Sequence, residues 1–270
     1  MYTDRKADRV RPKKSLGQHF LHDNYIAGQI VEALALGLSR PSVLEIGPGM
    51  GMLTKILIKR DNIDLKVIEI DRESVAFLRK NYPSLAGKIM EGDFLTTDLS
   101  AVFPDKFSII GNFPYNISSQ IFFRILQMHQ SIDQVVCMLQ KEVADRIASP
   151  PGSKTYGILS VLIQAFYKVE NLFKVMPGAF IPPPKVVSAV IRLQRNDVVE
   201  LSCNEKLFVQ VVKQAFNTRR KTLRNALKNL NLAAEIAALP LLDKRAEQLS
   251  VKQFEDLTLL IEKSRGASDG

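Results

Sequence analysis

The feature that most constrains the fold is an alternation. Between residues 42 and 193, short β-rich runs take turns with helical patterns, and that alternation specifies a mostly parallel sheet flanked by helices. Strands are predicted at 42–46, 64–70, 88–91, 107–110, 134–139 and 186–193. Helices are predicted at 51–60, 72–81, 118–128, 141–148 and 157–166. Pro182, Pro183 and Pro184 must be extended, since each proline sets its own φ and restricts its predecessor. The β pattern stops near Arg195, and from Asn204 onward only helical periodicity remains. Residues 1–197 are therefore expected to form an α/β domain, and 198–270 a smaller all-α domain.

The first predicted strand ends in Glu45-Ile46-Gly47-Pro48-Gly49-Met50-Gly51. Glycines between a strand and a helix let the backbone turn tightly and approach a ligand that a Cβ would repel. Glu69 closes the next strand, where a carboxylate can accept both hydroxyls of a ribose, and Asp93 follows the third, where it can accept an adenine amine. A nicotinamide dinucleotide site uses almost the same parts, but its fingerprint needs a third glycine where this chain has Met52. Glu45 either orients the glycine loop or faces the ammonium of a methionine portion. A bare glycine turn and an Asp that merely caps a turn are the bland readings of these parts. Three successive strand ends carrying glycines, Glu and Asp weigh against them, because open α/β sheets bind ligands along that edge.

The tetrapeptide Asn112-Phe113-Pro114-Tyr115 follows the fourth predicted strand after Gly111. An adenine exocyclic nitrogen is a poor nucleophile because its lone pair is delocalised into the ring. The Asn112 side-chain carbonyl and the Phe113 backbone carbonyl can accept its two hydrogens, Pro114 stiffens the turn, and Tyr115 can lie against the base. Such stacking is worth ~1–3 kcal/mol per base. Phe180, just before the proline run, offers a second aromatic wall, although a plain core role explains it equally well. Glycine loop and tetrapeptide together indicate methyl transfer from S-adenosylmethionine to an adenine amine.

Charge and cysteines narrow the partners. Thirty-seven basic against 28 acidic residues give a net charge of +9, which favours a polyanion. The basic residues cluster at 9–14 and again at Arg219, Arg220, Lys221 and Arg224, which are predicted to present one helix face to RNA over a buried face of Phe216, Leu223 and Leu227. Cys137 and Cys203 lack C-x-x-C spacing, which argues against a disulfide framework and a zinc site and fits a reducing cytoplasm. No metal is expected, because His19, His22 and His129 lack ligand spacing. No run of 18 apolar residues predicts a membrane span, and the charged first 14 residues predict no secretory leader. A monomer is expected.

At this point the residues resemble a family, the bacterial small-subunit (16S) ribosomal RNA adenine dimethyltransferases. The similar segments span nearly the whole chain in order: 14–21, Glu45 to Gly51, Val67 to Asp71, Gly92-Asp93, Asn112 to Tyr115, 139–143, 182–189 and 215–225. The resemblance implies a Rossmann-like methyltransferase sheet that uses S-adenosylmethionine. It implies dimethylation of two adjacent adenosines near the RNA's 3′ end, within a precursor 30S particle. It also implies that Gln18, His19 and Leu21 line the methionine end of the cofactor, with Gly47 beneath it. Glu69 would bind its ribose, Asp93 its adenine, and Asn112 would touch both cofactor and target. His19 stands where the family usually has Asn, and Phe113 where it usually has Leu. Two other readings keep a place: a methyltransferase of a single RNA or DNA adenine, and a noncatalytic RNA-binding assembly factor on the same fold.

Overall fold

The run Phe107–Asn112 is buried along nearly its whole length, as a strand covered on both faces must be. It is the middle strand of a seven-stranded sheet. The computed structural model describes residues 10–35, 40–218 and 220–266. Its elements follow the order β1 (Phe20–Leu21), α1 (Asn24–Glu32), β2 (Ser42–Ile46), α2 (Thr54–Leu57), β3 (Asp64–Glu69), α3 (Arg72–Asn81), β4 (Ile89–Glu91) and β5 (Phe107–Asn112). There follow α4 (Ser118–Gln127), β6 (Ile132–Gln140), α5 (Lys141–Ala148), α6 (Ile158–Phe166), β7 (Tyr167–Val175), β8 (Phe180–Ile181) and β9 (Ser188–Arg195). The chain then becomes helical, with α7 (Glu205–Asn217), α8 (Leu223–Ala226), α9 (Ala234–Ala237) and α10 (Val251–Gly266).

The sheet runs β4-β3-β2-β5-β6-β9-β7. The pairs β2/β3, β3/β4, β2/β5 and β5/β6 are parallel, and β9 is antiparallel to β6. The chain builds outward from β2 to β4, then returns to place β5 on the other side of β2. That reversal opens a crevice beyond the carboxyl ends of β2 and β5, the place where open α/β sheets bind ligands. Gly47 leaves β2 on one side of it, and Asn112 ends β5 on the other.

Three strands escape a periodicity reading. β1 and β8 pair antiparallel, Phe20 with Ile181 and Leu21 with Phe180, and are too short to show any pattern. β7 is an edge strand whose exposed and half-exposed positions include Lys168, Glu170 and Lys174, so its polar content hides it.

The chain separates into two compact units, Met1–Ala144 with Glu170–Gln194, and Asp145–Val169 with Arg195–Gly270. This differs from the boundary expected at Asp197, because 145–169 folds with the C-terminal helices. Within that second unit Tyr156 meets Phe216 edge-on at 6.2 Å, and the Gly152 amide donates to the Glu247 carbonyl at 2.6 Å. Helix α7 shows why this region is helical. It buries Phe208, Val211, Val212 and Ala215 at one-face spacing, and the Asn204 side chain caps it by accepting from the Leu207 amide at 3.0 Å. Such a cap is worth ~1 kcal/mol.

Candidate active site

The crevice holds two cavities, of about 300 and 470 Å³, that share walls at Phe20, Gly47 and Asn112. Gln18, His19, Gly49, Glu69, Asp93, Phe113, Pro114 and Tyr115 line the first. Leu21 and Glu45 line the second. Every residue expected at the site except Phe180 therefore gathers at one place.

The glycine loop is shaped for a ligand. Gly47 and Gly49 have φ of +62° and +55°, a left-handed conformation that side-chain-bearing residues rarely adopt. A Cβ on Gly47 would point into open space on the cavity wall, whereas one on Gly49 would stand 2.8 Å from the Phe20 ring. Glu69 is buried, and its carboxylate accepts the Gly49 amide at 3.0 Å and the Asp71 amide at 2.9 Å. Burial raises its pKa, and these main-chain donors oppose the rise. A carboxylate held this way keeps further lone-pair sites for hydroxyl donors, so a ribose fits the residues present. Asp93 accepts the Leu95 amide at 2.9 Å, which sets its side chain at the cavity wall.

Glu45 is not presented as a bare anion. It is buried, accepts the Thr54 hydroxyl at 2.7 Å, and burial pushes its pKa up to about 8, with Glu69 nearby adding to the rise. It therefore orients the start of α2 and stays protonated near neutrality. A buried acid with a raised pKa costs the fold stability as pH climbs from its ordinary value of 4.5 toward 8. Glu45→Gln keeps the acceptor for Thr54 without the ionisation. Its melting temperature should match wild type near pH 5 and exceed it by ~5 °C at pH 8.5. A difference that stays flat across that range in thermal melts would show that Glu45 is not held neutral by burial.

The tetrapeptide is anchored at both ends. The Phe113 amide donates to the Met138 carbonyl at 2.9 Å, and its ring is buried edge-on against Phe122. Asn112 Nδ2 donates to the His19 carbonyl at 2.8 Å, which leaves Oδ1 as the acceptor. The Tyr115 hydroxyl shares a 2.5 Å hydrogen bond with Ser188, and its ring stacks on His19 at 5.4 Å. The His19 ring is itself held, through Nδ1, to the Pro182 carbonyl at 2.8 Å.

Phe180 is placed elsewhere. It is buried in the core with Leu21, Val136, Met138 and Val190, because β8 pairing against β1 turns its ring inward. The clamp of Tyr115 and Phe180 is not formed, and the aromatic neighbour of Tyr115 is His19. Four residues that sequence reasoning missed also shape the site: Lys13, Thr54, Tyr82 and Ser188. The Tyr82 hydroxyl donates to the carbonyls of Met50 and Gly51 at 3.3 and 3.2 Å, propping the glycine loop. Lys13 ties the segment before β1 to the end of β3 through ion pairs with Asp71 and, at 3.1 Å, Glu73. Burial pushes the Asp71 carboxyl up, but hydrogen bonds from Lys13 and Ser74 outweigh it and hold its pKa below the usual value.

The basic segment is not the continuous helix expected from its spacing. Helix α7 stops at Asn217, and Thr218 has non-helical angles. The Leu223 amide then donates to the Lys244 carbonyl, and Thr222 bridges to Arg245, contacts that one unbroken helix could not make. Leu223 and Leu227 are buried as expected, and Phe216 is half-buried. Arg224 is spent on an ion pair with Asp243 at 2.8 Å. Arg220 and Lys221 are exposed, and Arg219 lies outside the described residues.

Fold and site together define a class: an S-adenosylmethionine-dependent methyltransferase, whose glycine-loop crevice lies beside the turn Asn112 to Tyr115. The chain belongs to the ribosomal RNA adenine dimethylase family, whose model it matches over residues 9–263. It is 57% identical over 256 residues to a protein of Parabacteroides distasonis called ribosomal RNA small subunit methyltransferase A, covering 94% of this chain and 95% of that one. A protein of the same name from Cytophaga hutchinsonii is 55% identical over 254 residues, covering 94% and 98%. Among solved structures, a dimethyladenosine transferase from Plasmodium falciparum superposes with a TM-score of 0.76 at 26% identity, covering 92% and 98% of the two chains. The 23S rRNA methyltransferase ErmE does so at 0.62 and 25%, covering 88% and 99%.

Proposed function

We infer that this enzyme methylates the exocyclic N6 of two adjacent adenosines near the 3′ end of small-subunit (16S) ribosomal RNA, giving N6,N6-dimethyladenosines. The observation that carries the chemistry is Asn112: with Nδ2 committed to His19, only its carbonyl oxygen remains for the target amine. That oxygen and the Phe113 carbonyl accept the two N6 hydrogens and favour a tetrahedral nitrogen with its lone pair exposed. Tyr115 supports the face of the base. S-adenosylmethionine, when bound, supplies a methyl group made electrophilic by the adjoining sulfonium. Glu69 and Asp93 hold the ribose and adenine of that cofactor, Gln18, His19 and Leu21 border its methionine end, and Glu45, Gly47 and Gly49 form its floor. Catalysis then rests mostly on positioning, which can be worth several kcal/mol, and the nitrogen's surplus proton can leave to water.

The small-subunit target rests on the names of the relatives more than 50% identical to this chain. A precursor 30S particle as substrate, a monomeric enzyme and a cytoplasmic setting complete the reading. An RNA-containing substrate is supported by the net charge of +9, and among the described residues no helix is long and apolar enough to cross a membrane. Incubation with radiolabelled S-adenosylmethionine and small subunits lacking the modification, followed by nucleoside analysis, tests it. Labelled N6,N6-dimethyladenosine is expected. Monomethyladenosine alone would refute it, as would label that appears only when large subunits are supplied in place of small ones, and no label with either would favour an assembly factor.

The first unit carries catalysis, and the second, through Arg220 and Lys221, contacts RNA phosphates. Replacing both by Ala should weaken small-subunit binding and lower the slope of log K against log salt by ~1–2. Cofactor affinity should hold, since the glycine-loop cavities are lined by first-unit residues alone. An unchanged slope with full activity would shift the RNA surface to the basic segment at 9–14.

A further inference from the structure

A tyrosine on a turn has two side-chain torsions free to swing, so a stacking ring must be aimed by something outside the turn. Three contacts aim Tyr115. Its hydroxyl shares the 2.5 Å hydrogen bond with Ser188 Oγ, its ring lies 5.4 Å from His19 at an interplanar angle of 24°, and its own turn is held by Asn112. Like Asn112, which closes β5, Ser188 is fixed by the sheet, and of the three it alone holds the hydroxyl end of the ring. It is fully buried at the first position of β9, directly opposite Gln140 of β6 in the antiparallel ladder. The adjoining Val187 carbonyl accepts the Lys141 amide at 3.0 Å, which continues the pairing. Ser188 lines neither of the two cavities, and its hydroxyl is engaged by Tyr115.

We propose that Ser188 is a positioning residue for methyl transfer, holding the Tyr115 ring in the plane that receives the target adenine. This rests on the function assigned above. The side chain has no chemistry of its own to perform. Its hydroxyl fixes the far end of the phenol, so that binding the base does not also have to freeze the ring. Burial raises the pKa of Tyr115, which keeps the phenol neutral and suited to a bond with another hydroxyl. The segment containing Ser188 is part of the family resemblance, but neither spacing nor composition gives that serine a task.

The test uses the full-length enzyme and four variants: Ser188→Ala, Ser188→Thr, Tyr115→Phe and the double variant Ser188→Ala/Tyr115→Phe. Ser188→Ala and Tyr115→Phe remove the same bond, so each should lower kcat on small subunits by roughly tenfold, the loss of one oriented hydrogen bond. The double variant should be no slower than either single one. The KM for S-adenosylmethionine should not move, and Ser188→Thr, which keeps the hydroxyl, should recover most of the rate. Wild-type kcat in Ser188→Ala or in Tyr115→Phe would overturn the proposal, as would losses that multiply in the double variant. A readout independent of activity is the 19F spectrum of fluorotyrosine at position 115. One sharp resonance is expected in wild type, and a broadened or doubled one in Ser188→Ala. An unchanged line would refute the positioning role even if the assigned reaction itself failed. A wild-type enzyme that does not label small subunits, together with the expected spectral change, would refute the reaction and leave Ser188 as the anchor of the ring. Should Ser188→Ala not fold, the kcat values of Tyr115→Phe and Ser188→Thr still decide for or against the role.

Discussion

Asn112→Ala should fold normally and lose methyl transfer by about 10²–10³-fold in kcat, the scale for removing one preorganised polar group aimed at a reacting centre. The size follows from how Asn112 is held. Its amide nitrogen is spent on the His19 carbonyl, so its oxygen sits in one orientation before any substrate arrives. Little reorganisation is then left for the transition state to bear. Because the interaction is made chiefly with the reacting amine, kcat and kcat/KM should fall together, with KM for small subunits nearly unchanged. A modest drop in cofactor affinity is also expected, since Asn112 borders both cavities. Single-turnover rates on modification-deficient subunits are the decisive measurement, with a thermal melt to confirm the fold. Wild-type turnover would sink the amine-gripping mechanism.

Glu69→Ala should weaken S-adenosylmethionine binding by ~1–3 kcal/mol, or roughly 5- to 150-fold. Two losses combine. The ribose loses its acceptors, and the amides of Gly49 and Asp71, which now donate to the two carboxylate oxygens, lose their partner. The second loss loosens the glycine loop even without ligand, so the variant should also melt earlier. Turnover at saturating cofactor should stay near wild type, because Glu69 acts on binding. Calorimetry gives the answer, and an unchanged affinity in a folded variant would remove Glu69 from the ribose site.

What was legible in the sequence were the elements that bury a regular face. Helices α3 and α5 and strand β2 match their predicted bounds, because apolar residues repeat there at 3.6 or run continuously between turn residues. Glycine loop, strand-end acids and tetrapeptide were legible for a different reason: each is local, and topology alone brings them together at the switch between β2 and β5. The failures are tertiary. Phe180 is turned inward by a two-residue pairing with a strand almost 160 positions away. The basic helix is broken because Leu223 and Thr222 bond to Lys244 and Arg245 instead of to their own preceding turn. Ser188 gained its role from a neighbour 73 positions earlier in the chain. Contacts like these leave no periodic trace.

Gly111 joins the two halves of the site more closely than any side chain does. It lies in β5 immediately before Asn112, and a Cβ built there would stand 2.6 Å from the main-chain oxygen of Ile46, the residue that precedes Gly47. The backbone that leads into the glycine loop and the backbone that leads into the tetrapeptide thus lie directly against each other. Their separation is a gauge cut into the main chain, one that exchange of pocket side chains does not reset.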